Sequence, residues 1–505
     1  MFIHLRNQVL KTFLLLAVLS LLVLHLCVPI NLTAVDIGRH IKNGQLILGG
    51  NTEVFYKNFY SFTWPDYPFI NHHWFFGVIA YVLFQIMGFK GLSVFYILLL
   101  TFAFLLAFDC ARRYSNFYSA LFFSTIAFLL LVSRPEIRPE GFSVFFTALD
   151  FWLLQLFLQG RIRAWLLLAI IPAVQVAWVN THIFFFVGPL LTGLFLWKAR
   201  LNGAIREGLV LQRLSLVSLL VNLINPSGVG GMLTPLNGFK KFGYALAENQ
   251  TVFFMMHRFP ENLAYKYYLI PAFIVILGMV LCLSRERAKA LPMVILGIFI
   301  TAAGFRAVRL FMPFAFLFVP MAAYFYAPYL TKKAVKVALG FTSVVGMAAI
   351  CFMPVQPGIG LLPRVNASAE FFKQSGLKGP VFSNYDIGGY LIYHLWGKEK
   401  VFVDNRQEAF PPDFFQKVYV PMQQDPAVWR QEQAKNGFNV IYFYRHDLTP
   451  WGQSFLIDRV QDTQWAPVFV DDYTVIFARR GSIDQGIIDR FELPQSMFKV
   501  VKTGP

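Results

Sequence analysis

The sequence predicts a polytopic α-helical membrane protein of about eleven transmembrane helices, followed by a C-terminal soluble α/β domain. Three observations predict it. Of 505 residues, 57% are hydrophobic and only 14% charged, where a soluble domain carries about 25% charged residues. The apolar residues fall in runs long enough to cross a bilayer. The pattern then changes near residue 356, where a Pro- and Gly-containing stretch gives way to short alternating segments.

A span needs about 20 apolar residues. Such runs cover 12–31, 91–109, 117–133, 141–158, 164–179, 183–198, 208–224, 267–283, 290–305, 310–328 and 335–353. The first follows Arg6 and Lys11, and no small-x-small cleavage site precedes Asn31. It reads as an uncleaved helix rather than a signal peptide. Segment 74–88 is apolar but short. If it lies on the surface, Arg6/Lys11, Arg112/Arg113, Arg161/Arg163, Lys198/Arg200/Arg206, Arg285/Arg287/Lys289 and Lys332/Lys333/Lys336 all share one side of the membrane. That is the positive-inside pattern. If it spans, the N-terminal charges oppose most of the later ones. The expectation is therefore a surface helix at 74–88 and an inner (plasma) membrane protein, with a cytoplasmic N-terminus and an extracytoplasmic tail. These clusters also account for the net charge of +17, so no nucleic-acid partner is expected.

The expected division is a membrane domain over 1–355 with an outer loop at 32–90, a linker at 356–363, a soluble domain at 364–480 and a tail at 481–505. Within the soluble domain the pattern predicts helices at Ser368–Ser375, Gly388–Trp396 and Ala427–Lys435. It predicts strands at Gly379–Ser383, Lys400–Asp404, Asn439–Tyr444, Ala466–Asp471 and Tyr473–Ala478, with a hairpin at Asp471-Asp472. Cys27, Cys110, Cys282 and Cys351 have no zinc spacing and read as small core residues.

The residues that carry chemistry gather in the outer connections. Asp36 follows the first span at once, in Asp36-Ile37-Gly38-Arg39-His40. If a helix starts there, Asp36 and His40 share one face. Asp36 is then a general base or, with His40, a metal ligand; the alternative is an N-cap. The same loop continues through alternating aromatics and prolines to His72-His73, next to the surface helix. Arg134-Pro135-Glu136-Ile137-Arg138-Pro139-Glu140 crowds four charges between two apolar helices. Glu136 or Glu140 can complete a carboxylate site with Asp36, and Arg134 or Arg138 can grip a phosphate. Asn180 and His182 cap another outer helix end. Lys240, Lys241, His257, Arg258 and Glu261 occupy a long outer loop, and Arg306 and Arg309 stand on the wrong side for the positive-inside rule. Arginines there suit an anionic ligand such as a phosphate or diphosphate head group, or ion pairs with Glu136, Glu140 or Glu261. Asn384–Tyr390, with its Gly388-Gly389 pair, and Val401–Arg406 read as turn chemistry and a salt bridge, or as ligand contacts. No Walker, GxSxG, HExxH or GxGxxG motif is present.

With Asp36 in the pattern Asp-x-Gly-x-His-x-x-x-Gly, a long outer loop with a surface helix, the acidic connection Arg134–Glu140 and a soluble domain after the bundle, the sequence resembles the GT-C superfamily of membrane glycosyltransferases. Within it, the bacterial mannosyltransferase and aminoarabinose-transferase types are the most similar. The resemblance implies Asp36 as catalytic carboxylate with His40, Glu136 and Glu140 beside it. It implies that Arg134, Arg138, Arg258, Arg306 and Arg309 bind donor phosphate, and that His72, His73, Asn180 and His182 contact the acceptor or the loop. The partners implied are a polyprenyl-phosphate-linked sugar donor, membrane lipids, and a glycan, lipid or protein acceptor outside the cytoplasm. The Trp-Trp-Asp signature of oligosaccharyltransferases is absent, and Arg-Pro-Glu repeats stand where a second acidic motif is usual. A divalent metal is therefore an open cofactor. The rival class is a non-enzymatic lipid-glycan carrier or flippase, or a polymerase-like protein. A carrier should hold charges near the bilayer midplane; the spans read as nearly charge-free at their centres.

Overall fold

A computed structural model of the chain describes residues 2–237, 242–483 and 485–498. Lys240 and Lys241 of the outer loop lie outside the described residues. The first long helices are α1 (Phe2–Leu26), α2 (Ile37–Leu48), α3 (Trp74–Tyr114), α4 (Phe117–Leu131), α5 (Glu140–Leu158), α6 (Ala164–Val179), α7 (Val187–Leu201) and α8 (Ile205–Leu220). Four more apolar helices follow, Leu269–Glu286, Leu291–Arg306, Phe311–Tyr326 and Lys333–Cys351.

Each run expected to span is helical. Among the described residues, seven helical stretches are long and apolar enough to cross a membrane; one of them, Leu263–Arg306, holds two of the expected spans, and the apolar α4 and α6 are shorter. The chain is a multi-pass membrane protein. The segment 74–88, expected at the surface, and 91–109, expected to span, form one run of helix broken at Gly88, whose φ is +63° and ψ −165°. Only glycine takes that conformation without strain, so this residue separates the two pieces.

The chain divides into two compact units. One comprises Met1–Val28, Ser93–Pro235 and Ala245–Ile359; the other comprises Pro29–Leu92, Leu236–Tyr244 and Gly360–Pro505. The cut is not the linear one expected at 355. The loop 32–90 belongs with the soluble domain, and the reason is local. A Cβ at Gly38 would meet Tyr393 Cβ at 2.9 Å, and one at Gly44 would meet the Gly77 carbonyl oxygen at 2.1 Å. The two glycines of the Asp-x-Gly-x-His-x-x-x-Gly pattern thus let α2 lie directly against the helix Gly388–Leu395 and the start of α3.

In the first unit, helices start where the sequence supplies caps. Asn116 accepts hydrogen bonds from the Tyr118 and Ser119 amides at the head of α4, a cap worth about 1 kcal/mol. The interior is aromatic. Tyr268 stacks on Phe311 at 4.7 Å and meets Phe314 edge-on at 5.0 Å, while its hydroxyl donates to the Thr301 carbonyl. Cys110 and Cys282 are buried as expected, but Cys351 is exposed on an outward-facing helix.

The second unit holds a four-stranded sheet in the order β1 (Val381–Ser383), β2 (Val440–Tyr444), β4 (Thr474–Arg479), β3 (Trp465–Val470). β1 and β2 are parallel; β2 and β3 each run antiparallel to β4. The β3–β4 hairpin turns at Asp471-Asp472, where the Asp471 carboxylate accepts from the Tyr473 and Thr474 amides. The helices Ala367–Ser375 and Pro426–Asn436 end at Gly376 and Gly437, both at positive φ. The strand expected at Lys400–Asp404 is not one. Val401 makes single bridges to Val381 and Ser61, and the chain then bends because the Asp404 side chain turns back to bond Arg406.

Candidate active site

In the second unit, Asp36 stands at the N-cap position of α2 but makes no side-chain cap bond. Its carboxylate accepts from the Asn405 side-chain amide and pairs with Arg39 at 3.4 Å. Arg39 also donates through Nε to Asn405 Oδ1 at 3.0 Å. Arg39 is 4% exposed and Asp36 27%, so the carboxylate is braced from within and open at one edge. Gly389 makes room for this arrangement: a Cβ there would lie 3.2 Å from Asn405 Nδ2. The i, i+3 spacing of Asp36 and Arg39 is legible in the sequence. The signal for Asn405 was its place in the motif Val401–Arg406.

Behind this group the Asp404–Arg406 pair is fully buried at 2.6 Å, with Arg406 also donating to Asn58 Oδ1 at 2.7 Å. The guanidinium lies over the rings of Tyr60 and Phe69, and the Tyr60 hydroxyl donates to Asn43 at 2.7 Å. That network fits a structural role. Burial raises the Glu408 carboxyl above its ordinary value, against the opposing charges of Arg39 and Arg406. His40 is buried, edge-on to His73 at 5.6 Å and to Phe76 at 4.8 Å, and His73 lies 3.9 Å from His72, ring to ring. The three histidines are therefore neighbours.

The first unit builds a separate ionic cluster. Arg134 pairs with Glu248 at 2.8 Å and with Glu140 at 3.4 Å; Arg309 pairs with Glu140 at 3.2 Å and with Glu248 at 3.5 Å; Arg138 reaches Glu248 at 3.3 Å. Burial pushes the Glu248 carboxyl up, but the charges of Arg134, Arg309 and Arg138 outweigh it and hold the group well below the carboxylate range. Burial likewise lowers Arg134, and Glu140 and Glu248 more than restore it. Glu248 is the residue that sequence reasoning missed. It sits in a single 3-10 turn, Ala247–Asn249, with no motif around it. Arg309 also donates to Asn249 Oδ1 at 3.1 Å, and Arg306 to the Asn249 carbonyl at 3.3 Å.

The remaining expected residues divide. Glu136 acts on Arg134 only through its charge. Arg258 is exposed, over the Phe259 ring and outside the cluster. Asn180 is buried and donates to the Val176 and Ile224 carbonyls at 2.8 Å each, which is helix capping. His182 is buried at 2.8 Å from Ser143 Oγ, which also accepts from Trp178. Ser143 lies one turn along α5 from Glu140. Among the described residues no group of three or more His, Cys, Asp or Glu has the arrangement to hold a metal ion. Two of the contacts on the Asp36 carboxylate are taken by Arg39 and Asn405. The span centres are not charge-free either. Asp150 lies in the middle of α5, fully buried.

No family model matches the sequence, and no curated protein sequence matches it. Solved structures do. The oligosaccharyltransferase of Archaeoglobus fulgidus in the apo form matches over 86% of this chain and 69% of its own, with 11% identity and a TM-score of 0.56. Its complex with zinc and sulfate matches over 92% of this chain and 73% of its own, at 12% identity and a TM-score of 0.55. ArnT from Cupriavidus metallidurans in the apo state covers 97% of this chain and 100% of its own, at 14% identity and a TM-score of 0.45. At the identity of the oligosaccharyltransferase matches the likeness is one of fold: the chain shares the fold of that solved structure.

Proposed function

We propose that the protein is a membrane glycosyltransferase that transfers a sugar from a polyprenyl-phosphate-linked donor to a hydroxyl-bearing acceptor on the extracytoplasmic side. The observation that carries this reading is Asp36. In a chain with the fold of an oligosaccharyltransferase, it occupies a capping position without capping, and it is held by a guanidinium and an amide with one edge open. Structural caps spend their oxygens on the helix amides. A positioned base keeps a lone pair for its substrate.

In the proposed step, the acceptor oxygen bonds to the anomeric carbon as the bond from that carbon to the donor phosphate oxygen breaks. The acceptor proton passes to Asp36, and the polyprenyl phosphate leaves with the electron pair. Arginines that stabilise the leaving phosphate lower the barrier most when they are already fixed in place. Within the first unit, Arg134, Arg138 and Arg309 are fixed in place by Glu140 and Glu248, which makes them the candidates for holding an anionic group such as a donor phosphate. No step is routed through a metal ion. Turnover that survives a strong chelator accords with this scheme, and turnover that zinc or magnesium alone restores would revise it.

The decisive experiment separates the base from the ion-pair partner. Asp36→Asn leaves Arg39, 4% exposed, without its counter-charge, which costs stability on the order of 1–2 kcal/mol for a half-buried pair. It should also lower turnover of a lipid-linked sugar by about 10²-fold or more. Adding Arg39→Gln removes the stranded charge. If Asp36 is the base, the double variant recovers stability but not turnover. Recovery of both would reduce Asp36 to a partner for Arg39 and sink the assignment.

A further inference from the structure

The carboxylate of Asp150 lies at the centre of a membrane helix, fully buried, and neither oxygen has a hydrogen-bond partner among the described residues. Beside it is Gln175 of α6, also fully buried. The Gln175 amide nitrogen donates to the Phe185 carbonyl at 2.8 Å and to Asn222 Oδ1 at 2.7 Å. Asn222 is itself pinned by its amide, which donates to the Ser218 carbonyl at 3.0 Å. A flipped Gln175 would turn its oxygen against those two acceptors, so its orientation is determined. That leaves Gln175 Oε1 pointing the other way, buried and unpartnered.

Gly188 of α7 creates the space they share. A Cβ at that position would lie 2.1 Å from Gln175 Oε1 and 3.4 Å from Asp150 Oδ2. Both acceptors thus approach the Gly188 backbone on the side where any other residue would carry its Cβ, and neither has a donor among the described residues. Acceptor oxygens so placed, two of them on a carboxyl group, are costly in an apolar interior unless a proton or a cation joins them.

We propose that Asp150 and Gln175, in the space left by Gly188, bind a small monovalent cation of the size of sodium. A single carboxylate matches a single positive charge, and a carboxylate with an amide oxygen is a hard oxygen set that suits an alkali cation. The site shares no residue with the group around Asp36 or with the arginine cluster, and it stands whether or not the transferase reading holds.

The test uses the full-length protein in detergent, melted in sodium chloride and in N-methylglucamine chloride at equal ionic strength. Sodium should raise Tm by a few degrees, saturably, because a ligand that binds only the folded state stabilises it by mass action. Asp150→Asn should abolish the sodium effect while raising Tm in sodium-free buffer, since it removes the uncompensated charge and keeps the shape. Gly188→Ala, which pushes a methyl group onto Gln175 Oε1, should also abolish the sodium effect. Equal melting of the wild type in both salts would overturn the proposal, as would a sodium effect that persists in Asp150→Asn. So would an infrared band of a protonated carboxylic acid, lost in Asp150→Asn and unchanged by saturating sodium, because a proton would then be the occupant.

Discussion

Glu248 is the best single place to perturb the arginine cluster. It contacts Arg134 at 2.8 Å, Arg138 at 3.3 Å and Arg309 at 3.5 Å. At an effective dielectric of about 20, one such contact is worth about 5 kcal/mol before desolvation. Removing one partner of a buried pair costs about 3–5 kcal/mol, because the stranded charge stays buried. The side chains here keep 13–25% of their exposure, so Glu248→Gln should cost on the order of 3 kcal/mol, at the lower end of that range. If the arginines bind donor phosphate, Glu248 holds the place that the phosphate takes. Inorganic diphosphate should then restore much of the loss and raise the Tm of Glu248→Gln more than that of the wild type. The assay is thermal unfolding in detergent with diphosphate, matched for ionic strength with chloride to remove simple screening. A destabilised variant that diphosphate and chloride treat alike would refute the phosphate assignment. An unchanged Tm would refute the energetic argument itself.

Three further outcomes follow from particular residues. His394 is held down at about 3 from an ordinary 6.5, first by burial and then by Lys373 and Lys42. The unfolded chain therefore takes up that proton first, and the stabilisation is complete above about 6.5 and lost as pH falls toward 3; His394→Asn should flatten the unfolding profile in that window. Gly44→Ala would drive a Cβ to 2.1 Å from the Gly77 carbonyl oxygen and should destabilise by about 2 kcal/mol by chemical denaturation, with Gly50→Ala, where a Cβ meets nothing within 4 Å, a milder control through its positive φ alone. A reporter fused after Arg480 should be active outside the cytoplasm, and activity confined to the cytoplasm would reverse the orientation drawn from the Lys and Arg clusters.

The sequence carries the helices of the bundle because lipid demands long apolar runs, and those runs need no tertiary information to be read. Gly88 shows the limit of that reading. The run 74–114 is apolar but for Lys90 and its charged end from Asp109, and the helix break itself is seen only in the backbone angle at Gly88. The sheet was legible wherever alternation met a turn, as at Asp471. It failed at Lys400–Asp404, where a side-chain bond from Asp404 to Arg406 competes with the ladder. Among the candidate residues, Asp36 in the second unit and Arg134, Arg138, Glu140 and Arg309 in the first were legible as charges out of place beside apolar helices. Asn405 was marked only as a member of the motif Val401–Arg406, and Glu248 was not marked at all, since a lone Glu in a turn carries no pattern and its partners lie far off in the chain.

The carboxylates of Glu248, Asp404 and Asp150 differ in what neutralises them, and that difference orders their roles. Glu248 has three guanidinium groups around it and stays ionised, so it can serve as a counter-ion that a stronger anion displaces. Asp404 has one guanidinium in a closed network and no open edge, which suits an anchor. Among the described residues Asp150 has no paired cation and no hydrogen-bond donor. Such a group persists in an apolar interior only with a proton or a cation from outside the chain. Asp36 belongs to none of these classes. It has one guanidinium, one amide and a quarter of its surface open, the combination in which a carboxylate is held in place and still able to accept a proton from something that arrives.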